Sequence, residues 1–128
     1  MDRFDMIIEV PPVDPAHLLS CPDGESSSVI RERVSKAREI QQTRLAGTGI
    51  TCNARLSGRM LREQCPLTSR QQEILLAAVE QFGLSARAFD RILRVSRTIA
   101  DLAGLATPSD DNLYEAIQFR QFESQMKQ

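Results

Sequence analysis

The chain has 128 residues, with 16 lysines and arginines against 17 aspartates and glutamates, three cysteines, one histidine and no tryptophan. That length suits one domain with a single core, and with aromatics at only 5% that core must be aliphatic. No apolar run is long enough to span a bilayer and the N-terminus lacks the basic and apolar regions of a signal peptide, so a cytoplasmic protein without membrane contact is expected.

Charge is unevenly spread: residues 1–24 sum to −4, residues 25–64 to +4 and the remainder to −1. The basic middle could face an anionic partner such as DNA, or be a solvated surface. At the N-terminus, Asp5 to Val10 has the β-favouring character of a buried strand, stopped by Pro11-Pro12. A lone strand leaves its donors unpaired, so residues 1–24 are expected to be the end of a larger core plus a proline-rich linker, disordered in this chain. His17, Cys21, Cys52 and Cys65 lack the spacing of zinc ligands or of a disulfide framework, so no metal site is expected.

Helical punctuation then takes over. A first helix is predicted from about Ser26 to Ala46, stopped by Gly47, with Ile30, Val34, Ala37, Ile40 and Leu45 as its apolar stripe. Ser57 can cap a short helix to about Gln64 that carries Met60 and Leu61. Thr68-Ser69-Arg70-Gln71 fits a capping box for a helix ending at Gly83, with Ile74, Leu75, Ala78, Val79 and Phe82 buried. Thr107-Pro108-Ser109-Asp110 reads as a second capping box with proline at the first helical position, opening a last helix that bears Leu113, Ala116 and Ile117. Residues 124–128 should fray. The expected fold is all-α, a four- to five-helix bundle over residues 25–123 behind a mobile N-terminal tail.

Between those helices lies the most informative stretch, Gly83 to Leu102. Ser85 is its N-cap candidate, and Leu84 and Phe89 occupy the staple positions around it. Phe89, Ile92, Leu93, Ser96, Ile99, Ala100 and Ala103 follow the spacing of a buried stripe. Arg87, Arg91 and Arg94 fall together on another side, where their guanidinium forks suit phosphate oxygens. The plain alternative is a solvated charged face, with Asp90 and Asp101 pairing with Arg94 and Arg97.

Ser85-Ala86-Arg87 at a helix start resembles the second sensor motif of AAA+ ATPases. Asp2-Arg3-Phe4-Asp5-Met6-Ile7-Ile8-Glu9-Val10-Pro11 is similar to the end of the ATPase core in the magnesium chelatase group. Gly24-Glu25-Ser26-Ser27, Ile30-Arg31-Glu32-Arg33-Val34, Ala37-Arg38-Glu39-Ile40-Gln41, Gly49-Ile50-Thr51-Cys52-Asn53-Ala54 and Ala116-Ile117-Gln118-Phe119-Arg120 resemble that family's C-terminal domain. Nearly the whole chain is covered, and the likeness is to the ComM/YifB branch of the magnesium chelatase-like ATPases. It implies an AAA+ lid domain in which Arg87 reaches the γ-phosphate of ATP, Arg91 or Arg94 supports it, and Arg3 is an arginine finger. It further implies a parent that binds ATP with Mg²⁺, assembles as a hexameric ring through its own AAA+ core and neighbouring subunits, and remodels DNA in branch migration during competence.

The chain itself holds no Gly-x-x-x-x-Gly-Lys-Ser/Thr phosphate loop and no strand ending in paired acids to hold magnesium. It is therefore read as a C-terminal fragment of a larger ATPase, with Met1 an added start. By itself it should be monomeric, without ATPase activity and without tight nucleotide binding. Two other readings stand beside this one. The turn at Gly83-Leu84-Ser85 loosely resembles a helix-turn-helix, which would make the chain a DNA- or protein-binding module that never meets nucleotide. A chelatase role follows from the family name alone, without a porphyrin-sized apolar site or ligand cluster to support it.

Overall fold

The computed structural model describes residues 6–8, 10 and 24–126, with side chains through Arg120. Arg3, His17, Cys21 and most of the 1–24 segment lie outside the described residues. Within them the fold is all-helical: α1 (Ser27–Arg44), a 3-10 turn (Asn53–Arg55), α2 (Gly58–Gln64), α3 (Ser69–Phe82), α4 (Ala86–Leu102) and α5 (Asp110–Met126). Residues 6–8 form no β pairing. The backbone of α5 stays helical to Met126, beyond the end expected near residue 123.

Caps explain most of the boundaries. The Ser26 hydroxyl accepts from the Val29 N–H at 3.3 Å. Thr68 and Gln71 form the reciprocal box, with Gln71 N–H to the Thr68 hydroxyl at 3.1 Å and Thr68 N–H to Gln71 Oε1 at 3.0 Å. The last helix departs from expectation. It opens at Asp110, and its reciprocal cap is Ser109 with Asn112 rather than Thr107 with Asp110. Pro108 stays outside, and its carbonyl accepts from Gln71 Nε2 at 3.1 Å, which pins α3 to the approach to α5.

Helix α4 is the centre of the bundle. It packs most extensively on α5, and also on α1, α2 and the 3-10 turn, while α3 lies against α5. Accordingly it is buried nearly all round: Ala88, Ile92, Leu93, Val95, Ser96, Arg97, Ala100 and Asp101 are enclosed, whereas the expected Ala103 is exposed. The core joins Leu45, Leu56, Leu61, Leu75, Leu113, Ala116 and Ile117 to that helix and is aliphatic, with Phe82, Phe89 and Phe119 only partly covered. Each fully buried leucine contributes about 1.5–3 kcal/mol.

The stripe of α1 is only partly buried, and at Ile40 it is out of phase, since the position that turns inward there is Gln41. Ala37 and Leu45 are buried, whereas Val29, Ile30, Val34 and Ile40 stay 39% to 47% exposed. Periodicity marks the face that turns toward α4; it does not say where the bundle beneath ends. The first turns of α1 therefore overhang, with Arg33 paired to Glu25 at their side.

Candidate functional site

The first turn of α4 is held from both sides. Gly83 ends α3 at φ +61°, a left-handed conformation that glycine adopts without a Cβ penalty. Leu84 then turns back, its N–H donating to the Val79 carbonyl at 3.1 Å, and its side chain is buried. The Ser85 hydroxyl accepts from Ala88 N–H at 3.2 Å, and half-buried Phe89 packs against the same core. From this anchored base the exposed Arg87 side chain leaves the surface, and among the described residues it has no hydrogen-bond or ion-pair partner.

Its two companions differ. Arg91 is half-buried. Arg94 is also half-buried, and its Nε donates to the Leu56 carbonyl at 2.6 Å, which ties α4 to the end of the 3-10 turn. The arginine face is thus graded, and full exposure belongs to Arg87 alone. The Asp90–Arg94 surface pair does not form among the described residues, because Arg94 is turned toward Leu56 instead.

Arg97 and Asp101 do pair, but inside the protein. They are 1% and 2% exposed, and Arg97 Nη2 meets Asp101 Oδ1 at 2.9 Å. Arg97 also donates to the carbonyls of Gln64, Leu105 and Ala106 at 3.3, 3.0 and 2.9 Å, closing the chain after α2 and after α4. Asp101 accepts from Arg44 Nη1 at 2.6 Å and from Asn53 Nδ2 at 2.8 Å. Asn53 is itself enclosed: its Oδ1 accepts from Arg44 Nη2 at 2.6 Å, and its N–H donates to Gln41 Oε1 at 3.0 Å. Burial alone would raise the Asp101 pKa, but the bonds from Arg44, Asn53 and Arg97 outweigh it and hold the carboxyl below its ordinary range. Pattern reading placed Asn53 in a loop and Arg97 on a surface; the i, i+4 spacing of Arg97 and Asp101 was the only local signal of this cluster.

The cysteines divide by environment. Cys65 is 2% exposed, its thiol 3.6 Å from the Leu93 carbonyl, and burial pushes its pKa up. Cys52 is partly exposed ahead of the 3-10 turn. Burial opposes its ionisation, yet the Arg38 side chain and the backbone at Ala54 and Arg55 outweigh this and lower its pKa. No helix among the described residues is long and apolar enough to cross a membrane.

Comparison with known proteins bears on the whole helical region. The family model described as "Magnesium chelatase, subunit ChlI C-terminal" matches residues 24–120. The chain is 43% identical over 121 residues to the competence protein ComM of Haemophilus influenzae, which covers 94% of this chain and 23% of that protein. It is 38% identical over 122 residues to the YifB protein of Salmonella typhimurium, again covering 94% of this chain and 23% of the relative. A Mycobacterium tuberculosis protein, Rv2897c, is 38% identical over 121 residues, covering 94% of this chain and 24% of its own length. The chain thus spans about a quarter of the curated relatives it matches.

Proposed function

The chain belongs to the magnesium chelatase ChlI C-terminal family, and from that premise we propose that it serves as the lid of a ComM/YifB-like AAA+ ATPase, with Arg87 as its second-sensor arginine. One observation carries the reading: Arg87 is exposed on a helix start that a glycine turn, a serine cap and the packing of Leu84 and Phe89 on one core hold in place. A guanidinium on such a base starts from a fixed backbone position, and its fork can neutralise charge that develops on a departing γ-phosphate once the side chain engages it.

The chain's own residues fit part of a nucleotide site. The free donors of Arg87 suit phosphate oxygens. Mg²⁺ would need ligands from elsewhere, since no group of three His, Cys, Asp or Glu side chains among the described residues could hold a metal ion. When bound, ATP with Mg²⁺ supplies the phosphoryl group and the metal that stabilises its charge. Arg94 then acts as a positioning residue, because its bond to the Leu56 carbonyl fixes the helix that presents Arg87. An Arg3 finger, contacts to an AAA+ core and neighbouring subunits in a ring, and DNA remodelling during competence are further parts of this proposal. The helix-turn-helix alternative fits less well, because α4 is enclosed by α1, α2 and α5 and has little face left for a groove.

The test is turnover of the full-length protein. Arg87→Ala should lower hydrolysis by about a hundredfold or more, the scale for losing one transition-state donor. Arg59→Ala, whose side chain is 92% exposed on α2, should leave turnover intact. Unchanged hydrolysis in Arg87→Ala would reject the sensor assignment.

A further inference from the structure

Two observations place Met6 and Ile7 on the bundle. The Ile7 N–H donates to the Phe119 carbonyl at 3.1 Å, within the span of α5. A carbonyl oxygen has two lone pairs, so a helical carbonyl can accept a second donor from the side. Beside this bond, Met6 lines a cleft of about 310 Å³ with Val95, Ile99 and Leu102 of α4 and Phe119 of α5. Leu102 is 53% exposed and Met6 43%, so the cleft is open to solvent on one side. An unbranched thioether side chain suits such an irregular apolar wall.

We propose that the groove between α4 and α5 is a docking site for this chain's own segment Met6–Ile8, which acts as a strap joining the N-terminus to the helix that carries Arg87. A backbone hydrogen bond sets the position of the segment along α5, and Met6 sets its depth against α4. Since α4 is the element on which most of the bundle packs, pulling the strap loads the whole domain through that helix. The docking holds whether or not Arg87 meets a nucleotide; if it does, displacement of the N-terminal segment reaches the helix that presents it.

The experiment is amide exchange and side-chain resonance mapping on the 128-residue chain. The Ile7 amide should exchange at least about tenfold more slowly than an unfolded chain would. Met6→Asp should shift the resonances of Val95, Ile99 and Leu102, and Ile7→Pro, which removes the donor, should shift Ile99 and Phe119. Ile8→Ala should do neither, because Ile8 is 64% exposed. Helix content by circular dichroism should stay the same in all three variants. Exchange of Ile7 at the unfolded-chain rate, or unmoved α4 resonances in Met6→Asp, would overturn the proposal. Arg87→Ala should leave the strap signals intact, so failure of the sensor reading and failure of the strap are told apart.

Discussion

Arg44 and Asp101 meet at 2.6 Å across 57 positions of sequence. This contact fixes the C-terminal end of α1 against the C-terminal end of α4. Arg97 reaches the same carboxylate from one turn away, so a single aspartate neutralises one fully enclosed arginine and helps to place a second. The arrangement turns a charged residue on the central helix into a structural joint.

Arg97→Ala should therefore be among the most destabilising single changes in the chain. It removes the counter-charge of a buried pair and the donors to three carbonyls, a loss of about 3–5 kcal/mol by analogy with other broken buried pairs. Arg44→Ala should cost less, because its side chain is 21% exposed and water can replace part of what is lost. Urea denaturation followed by circular dichroism would rank the two; equal stability of Arg97→Ala and the unaltered chain would refute the joint.

The same joint sets a dependence on pH. Asp101 is held below its ordinary pKa in the folded state, so the unfolded state binds the proton more readily. Its contribution is complete above the unfolded carboxylate value of about 3.9 and is lost as pH falls through the lower folded value. Stability measured against pH should decline in that acid window. Asp101→Asn should be less stable at pH 7 and show a shallower acid limb; an unchanged limb would count against Asp101 as its source.

Much of this architecture was legible because it is local. Ser26, Thr68 with Gln71, and Ser85 are caps whose chemistry involves residues three apart, and each boundary follows from them. The last helix opens two residues later than the Thr107-to-Asp110 box predicts because a second capping pair, Ser109 with Asn112, overlaps it and is the one that forms. Burial was the weaker inference. Ile30 and Val34 have the phase of core residues but stay 44% and 47% exposed among the described residues, while Arg97 looks like a surface charge and is enclosed. The exposure of Arg87 follows from its place beside the Ser85 cap; the commitment of Arg94 to Leu56 depends on a loop 38 residues distant, which no periodicity reports.

The two described cysteines should separate in an alkylation experiment. Cys52 is partly exposed with a lowered pKa, so iodoacetamide should modify it in the native protein, with a rate that reaches half-maximum below the ordinary thiol value. Cys65 is enclosed with a raised pKa and should react only after unfolding. Mass spectrometry of the two peptides over time would check this. Faster labelling of Cys65 would mean that the core around Leu93 opens readily.

At the turn before α4, Gly83→Ala should destabilise the domain by about 1 kcal/mol, because alanine is strained at positive φ. Ser85→Ala should cost a similar amount, about 1 kcal/mol, through loss of the cap. Thermal melts would measure both. Arg87→Ala, an exposed change, should stay within about 0.5 kcal/mol of the unaltered chain. A large loss in Arg87→Ala would imply that it serves the fold rather than a ligand.

The central position of α4 has an evolutionary consequence. The helix that displays Arg87 is also the one whose other faces close the core, so few of its positions can drift without disturbing both roles. Tolerance should instead gather on the overhang of α1 and on the exposed positions of α3, such as Leu76. A saturation library selected only for folding would then retain most of the buried sequence of α4, while variants would accumulate at its exposed positions, Ala86, Arg87 and Leu102. Such a library would leave Arg87 as variable as the exposed residues at either end of the helix, so only selection on turnover of the full-length protein would set it apart from them.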